Sequence, residues 1–248
     1  MRGTICGDAI SFVMMLLFYL TDRGRHPGNG KNDLRLTSRM LRIALPLAFS
    51  AYARSALSTL EHLLVPRGLK SAGFSADRAL SGYGTIQGMV MPIISFPACF
   101  LMALSELMIP ELTEAQMRGE RAEISRTVRS LLKKGSGYSL AVALAIFIFA
   151  DRLGIAVYSS PEAGHFLRLL APLIPIMYTD MLCDGCLKGL GQQMWNMGIN
   201  VLDALLGVLL VWRVLPVYAL TGYICIIYFN ECLNFALSML RLRKVIRS

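Results

Sequence analysis

Long uninterrupted runs of apolar residues are the feature that most constrains how this chain folds. Residues 89–104, 139–150 and 201–211 contain few or no ionisable side chains. A helix needs about 20 such residues to cross a bilayer core of about 30 Å. Because the runs are continuous rather than alternating, they favour helices over the strands of a membrane barrel. The sequence therefore predicts an all-α integral membrane protein.

The composition supports this prediction. Apolar residues make up 55% of the chain and charged residues only 17%, and the mean hydropathy is +0.54. A soluble domain carries about 25% charged residues. The net charge of +9 would favour a nucleic-acid partner in a soluble protein, but in a membrane protein such an excess reflects orientation. We therefore predict membrane lipids, and no nucleic acid, as partners.

We predict about seven transmembrane helices and four parts of the chain. The spans are about 5–21, 39–64, 82–108, 136–158, 165–188, 195–213 and 217–239. The parts are a first helix (1–21), a basic loop (22–38), a six-helix lobe (39–240) and a basic tail (241–248).

A basic amphipathic helix is predicted over about 112–135, between two spans. Ile124, Val128 and Leu131 fall on one face of it, and Arg and Lys residues cover much of the remainder. Such a helix suits the surface of an anionic leaflet, although a solvated connector helix explains the pattern equally well.

The distribution of basic residues predicts the orientation. With seven spans, the segments 22–38, 112–135 and 241–248 lie on one side and hold most of the Lys and Arg residues. The excess of basic residues in cytoplasmic loops then places the carboxyl terminus in the cytoplasm and the amino terminus outside. An outside amino terminus followed by one helix and a basic loop predicts the later half of a larger protein.

Charged residues inside predicted spans are functional candidates, because burying a charge in lipid is costly. Arg54 and Glu61 lie seven residues apart, on one helical face and about 10 Å apart along the axis. They either line a cavity at two depths or pair with neighbouring helices.

Further polar residues mark the last three predicted spans. Asp184 and Lys188 have the spacing of a structural ion pair, whereas Asp180 either faces a cavity or is structural. Asparagines commonly join membrane helices through hydrogen bonds, whereas buried carboxylates are better candidates for substrate contact or coupling. The remaining candidates are Asn200, Asp203, Asn230, Glu231 and Asn234.

Nothing in the sequence predicts an enzyme or a cofactor. No phosphate-binding loop, nucleophile elbow or metal-spaced histidine cluster is present. Cys183 and Cys186 form a C-x-x-C pair, but no second ligand pair accompanies them, and their apolar surroundings suit buried hydrophobes.

Several strings resemble a known transporter superfamily. They are RSALSTLEHLLVPRGLK (Arg54–Lys70), the YGTIQGMVMPIISFP core of Gly82–Pro110, LAPLIPIMYTD (Leu170–Asp180), LKGLGQQ (Leu187–Gln193) and FNECLNF (Phe229–Phe235). In this order they resemble the polysaccharide-transporter branch of the multidrug/oligosaccharidyl-lipid/polysaccharide flippase superfamily. Within it, they resemble the stage V sporulation protein B-like group.

The resemblance implies a flippase of the bacterial plasma membrane that works by alternating access. Its substrate would be a lipid-linked oligosaccharide of the undecaprenyl pyrophosphate type, serving peptidoglycan or another envelope polymer, with sporulation as one context. Arg54 would contact the pyrophosphate, and Glu61, Asp180 and Asp203 would be cavity or coupling carboxylates. A cation-coupled multidrug exporter and a half-transporter that is inactive or needs a partner are the alternatives.

The same resemblance implies two six-helix lobes around a central cavity. This chain would then hold the last helix of the first lobe, the inter-lobe loop and the second lobe. A missing amino-terminal lobe is accordingly an expected partner.

Overall fold

The structure is a computed structural model that describes residues 2–25, 34–71, 73 and 76–247. The chain divides into two compact units, Met1–Pro46 and Leu47–Ser248. All the contacts that build the site described below lie within the second unit.

The described residues are almost entirely helical. The helices are α1 (Arg2–Arg25), α2 (Leu34–Ser71), α3 (Ala76–Thr85), α4 (Met91–Arg118), α5 (Arg121–Tyr158), α6 (Pro161–Leu170), α7 (Ile174–Gly189) and α8 (Gln193–Arg247). A π-helical segment, Ile86–Val90, joins α3 to α4, and a 3-10 segment, Ala171–Leu173, joins α6 to α7.

Helix α8 is a hairpin of two antiparallel arms rather than one straight rod. Ala219 has φ 51° and ψ −134°, which is outside the helical region. A Cβ placed on Gly207 would lie 3.0 Å from Nδ2 of Asn230, although a straight helix would separate these residues by roughly 35 Å. The first arm (193–218) and the second arm (220–247) correspond to the two predicted spans 195–213 and 217–239.

The all-α membrane prediction is confirmed. Among the described residues, four helical stretches are long and apolar enough to cross a membrane, and Ala9–Thr21 is a shorter apolar helix. The four stretches are Ser81–Arg118, Arg121–Tyr158, Pro161–Gly189 and Gln193–Ile246. Large apolar side chains such as Phe96 and Ile148 are exposed on these helices, as lipid-facing residues are.

Two predicted segments differ in extent from the structure. Residues 26–33 of the predicted loop 22–38 lie outside the described residues, and the described flanks are the ends of α1 and α2. The helix predicted over about 112–135 is divided at Gly119, whose φ of 74° ends α4 in the left-handed conformation that glycine favours. Its second part is continuous with the following span, because α5 runs unbroken from Arg121 to Tyr158.

Helix α7 lies at the centre of the second unit and packs against α4, α5 and α8. Two glycines allow close approach to it. A Cβ on Gly185 would lie 1.7 Å from the hydroxyl oxygen of Ser105, and one on Gly135 would lie 2.0 Å from Cδ1 of Leu182. Small residues at helix crossings are the usual means of packing helices in lipid, where no hydrophobic effect drives their association.

Local departures from α-helix accompany two of the prolines. The π segment Ile86–Val90 ends two residues before Pro92, and Pro172 lies within the 3-10 turn before α7. Proline removes one backbone donor, and such local rearrangements let the freed carbonyls find other partners.

Candidate functional site

Arg54 lines a cavity of about 440 Å³ between α2 and the first arm of α8. Its side chain is exposed. The other lining residues are small, mostly hydroxyl-bearing residues of α2 together with three residues of α8: Ser50, Ala51, Ser55, Ser58, Thr59, Met197, Asn200 and Val201.

Helical spacing places these side chains on one wall. Ser50, Arg54 and Ser58 follow one another at intervals of four residues, so they project from one face of α2. Asn200 faces them from α8 and donates a hydrogen bond of 2.9 Å to the backbone carbonyl of Asn196. The cavity thus presents one guanidinium group among hydroxyl and amide groups.

Glu61 begins a second polar region, two turns further along α2. A Cβ on Gly207 would lie 3.2 Å from its Oε2 and 3.0 Å from Nδ2 of Asn230. The absence of a side chain at position 207 therefore lets α2 and both arms of α8 meet here. Asp203, one turn before Gly207, interacts electrostatically with both Glu61 and Arg54.

Asp180 joins α7 to this region. It is only 5% exposed, and its Oδ2 accepts a hydrogen bond of 2.9 Å from Nδ2 of Asn234. Asn234 lies one turn after Asn230 on the second arm. Glu231, beside Asn230, interacts electrostatically with Arg54, Asp184 and Asp203. The structure thus brings predicted site residues of three helices, α2, α7 and α8, into one polar network.

Several acceptor oxygens in this polar network receive no hydrogen bond. Among the described residues, the buried atoms without a hydrogen-bond partner are Oδ1 of Asp180, Asp203, Asn230 and Asn234. Buried oxygens without donors are costly, since an unmade hydrogen bond in a dry environment costs about 1–3 kcal/mol. Carboxyl and amide oxygens of this kind suit a ligand that supplies protons or positive charge.

Asp184 and Lys188, predicted as an ion pair, interact electrostatically but form no direct ion pair in the structure. Oδ1 of Asp184 instead accepts a hydrogen bond of 3.4 Å from the hydroxyl of Ser238 on α8. Lys188 lies 3.9 Å from Oε1 of Glu106 on α4. The two residues point to different neighbours because α7 is surrounded by helices, which the spacing within one helix cannot reveal.

Two features of the site were not predicted from the sequence, the hydroxyl wall of the Arg54 cavity and a polar network beside Glu61. In that network, His62 hydrogen-bonds to the hydroxyl of Tyr83, and Nε2 of Gln87 donates to the hydroxyl of Tyr223 at 2.6 Å. The repeated four-residue spacing of Ser50, Arg54 and Ser58 could have indicated the wall. No local pattern could have indicated the network, because Gln87 and Tyr223 are distant in sequence.

Metal-binding residues are not grouped in the part of the chain that the structure describes, where no three His, Cys, Asp or Glu side chains are arranged to hold a metal ion. Cys183 and Cys186 are both fully buried in the apolar core.

Comparison with protein families identifies the group to which this all-helical architecture belongs. The MatE family model matches residues 71–212, which cover α3 to α7 and most of the first arm of α8. The chain belongs to the MatE family. The resemblance predicted from the sequence is thereby confirmed at the level of the superfamily.

Two curated relatives come from Bacillus subtilis (strain 168). The chain is 26% identical over 190 residues to "Sporulation protein YkvU", covering 75% of this chain and 43% of that protein. It is 24% identical over 183 residues to "Stage V sporulation protein B", covering 72% of this chain and 34% of that protein. The chain thus spans less than half the length of these relatives. No solved structure matches it significantly.

Proposed function

We propose that this chain forms one side of the transport pathway of a flippase for lipid-linked oligosaccharides, in which Arg54 binds the pyrophosphate. The observation that carries the proposal is the cavity of about 440 Å³ in which one guanidinium group stands among hydroxyl groups and the amide of Asn200. Guanidinium binds phosphate oxygens in a two-pronged geometry, and hydroxyl and amide groups suit sugar hydroxyls. Membership in the MatE family and relatives named for sporulation support an envelope-polymer substrate.

The test is binding of undecaprenyl pyrophosphate to the purified 248-residue chain, measured by titration in detergent. Each charge-assisted hydrogen bond contributes about 1.5–3 kcal/mol, so Arg54→Ala is expected to weaken binding by about 10- to 100-fold. Arg54→Lys should retain only part of the binding, because an ammonium group cannot make the two parallel hydrogen bonds that a guanidinium group makes to phosphate oxygens.

Arg67→Ala is the matched control, since Arg67 is an exposed arginine of the same helix that does not line the cavity. Equal losses in Arg54→Ala and Arg67→Ala would show a diffuse charge effect and reject the assignment. Unchanged binding in Arg54→Ala would reject it outright.

A cation-coupled exporter is the second candidate, and the four buried oxygens without donors favour it. Oxygen ligands of this kind suit hard cations, while a carboxyl among them could instead take up a proton. If the site binds Na⁺, the melting temperature of the chain should be higher in sodium chloride than in choline chloride at the same ionic strength. Asp180→Asn should remove this response, whereas Asp151→Asn, at an exposed carboxylate paired with Arg168, should leave it intact. An equal response to both salts would count against cation binding.

A further inference from the structure

A continuous groove runs along one end of the second unit, away from Arg54. Three adjoining cavities of about 500, 560 and 560 Å³ form it. The first and third cavities share Ile246, and the second and third share Ser125, Arg129 and Lys133. The first turns of α5 form one wall, and the last turns of the second arm of α8 form the other.

The rim of this groove is basic. No Asp or Glu lines any of the three cavities, and the exposed cations along them are Arg121, Arg126, Arg129, Lys133, Arg243 and Lys244. None of these six forms an ion pair with an acidic residue among those that the structure describes. The nearest acids in sequence, Glu120 and Glu123, lie at the start of α5 and do not line the groove.

The floor of the groove is apolar. Val128 and Leu242 are each only 1% exposed there, and Leu132, Met239 and Ile246 are partly buried beside them. A groove with an apolar floor and a cationic rim matches an amphiphile with a negatively charged head. A free anion or a nucleic acid would use the rim but leave the floor uncovered.

The length of α5 places the groove beside the membrane. With 38 residues, α5 is roughly 57 Å long, whereas the hydrocarbon core is about 30 Å thick. Its carboxyl-terminal part is strongly apolar, so its basic first turns project beyond the hydrocarbon, to the level of the lipid headgroups. The groove is therefore positioned where phospholipid headgroups are available at high concentration.

We propose that this groove is a binding site for an anionic phospholipid, with the phosphate held by Arg126, Arg129 and Lys133 and the glycerol and upper acyl chains lying on the partly buried floor residues Leu132, Met239 and Ile246. The site is separate from the Arg54 cavity and does not depend on the transported substrate. Attraction of clustered Lys and Arg to anionic lipid is additive over residues and is weakened by salt.

The test compares phosphatidylglycerol and phosphatidylcholine, added to the detergent-purified chain and counted as bound lipids by native mass spectrometry. The groove variant is Arg126→Gln/Arg129→Gln/Lys133→Gln. The control variant is Arg67→Gln/Lys70→Gln/Arg152→Gln, which removes the same charge from exposed positions outside the groove. The wild type should bind phosphatidylglycerol in preference to phosphatidylcholine. The ratio of the two bound lipids should fall by about tenfold or more in the groove variant and stay unchanged in the control variant.

Glycerol phosphate, which has the charged head without acyl chains, distinguishes a lipid from a free anion. Dihexanoyl phosphatidylglycerol should bind measurably tighter than glycerol phosphate because only the former covers the apolar floor. Equal binding of the two probes, equal loss in both variants, or tighter binding of a short RNA or an acidic peptide through the same three residues would overturn the proposal. Undecaprenyl pyrophosphate should bind the groove variant as it binds the wild type, so that failure here is distinguishable from failure at Arg54.

Discussion

Asp180 and Arg54 show how differently two polar residues can be held within one bundle. Arg54 is exposed in its cavity, whereas Asp180 is buried and accepts a hydrogen bond from the amide of Asn234. A ligand could reach Arg54 without rearrangement of the helices, whereas access to Asp180 requires the second arm of α8 to move. The two residues therefore suit different tasks, substrate contact at Arg54 and conformational coupling at Asp180.

Removing the amide of Asn234 tests how much its hydrogen bond to Asp180 stabilises the bundle. Asn234→Leu removes the hydrogen bond from this amide to Oδ2 of Asp180, so we expect a loss of about 1–2 kcal/mol in the free energy of unfolding. Reversible unfolding in mixed micelles measures the change. Asn200→Leu is the control, because the Asn200 amide bonds only to Asn196 of its own helix and should cost less. Equal losses in the two variants would contradict the assigned role of Asn234.

The site was only partly predictable from sequence at this scale. Arg54, Glu61, Asp180 and Asp203 could be selected because charge is rare inside apolar runs. Their partners could not, since Asn234 and Asp180 are 54 positions apart and their contact depends on how α7 packs against α8. The absence of a direct ion pair between Asp184 and Lys188 has the same cause.

Helix crossings in this bundle depend on glycine. At the contact of α5 with α6, a Cβ on Gly154 would lie 2.5 Å from the backbone nitrogen of Gly164. Backbone atoms cannot turn aside as a flexible side chain can. Gly154→Ala should therefore separate the two helices and cost about 1–3 kcal/mol or more of stability.

The matched control lies on the same helix. A Cβ on Gly137 would meet no neighbouring helix within 4 Å, and the residue is exposed. Gly137→Ala should therefore be neutral or slightly stabilising through higher helix propensity. Melting temperatures of both variants in one detergent give the comparison. A Gly154→Ala protein as stable as Gly137→Ala would refute the close crossing.

A second prediction at the level of the helices concerns the turn between the two arms of α8. Ala219 adopts φ 51°, which is unfavourable for a residue with a Cβ and freely accessible to glycine. Ala219→Gly should therefore leave the melting temperature unchanged or raise it, whereas Ala219→Val should lower it, because β-branched residues tolerate this region poorly. A higher melting temperature for Val than for Gly would mean that α8 does not turn back here.

At this scale the sequence predicted most of the fold. Hydropathy located the membrane helices between Ser81 and Ile246, because these stretches are apolar over the length that a bilayer requires. The predicted boundary between 213 and 217 lies close to the turn of α8 at Ala219. The division at Gly119 was missed because the amphipathic pattern continues across it, while the turn depends on the left-handed conformation of a single glycine.

The whole chain spans less than half the length of its two curated relatives, and the Arg54 cavity has one wall from α2 and one from α8. We expect the cavity to be completed by a second lobe, the partner that the two-lobed architecture implies. Flipping of a fluorescent lipid-linked pyrophosphate in proteoliposomes should then be slow with this chain alone. It should rise when the first lobe of a relative is co-reconstituted, and transport by the chain alone at the same rate would contradict a half-transporter.

The basic groups of the second unit predict its orientation in the membrane. The start of α5 and the end of the second arm of α8 lie together along the groove and concentrate Arg and Lys at one end, so we expect this end, with the carboxyl terminus, to face the cytoplasm. Green fluorescent protein fused after Ser248 should fluoresce in a bacterial host, whereas alkaline phosphatase at the same point should be inactive. Replacing Arg126, Arg129, Lys133, Arg243 and Lys244 by Gln should raise the fraction of inverted molecules, because it removes the charge that retains this end inside. Active phosphatase on the unaltered chain would reverse the assignment of sides and would place the anionic-lipid groove in the outer leaflet.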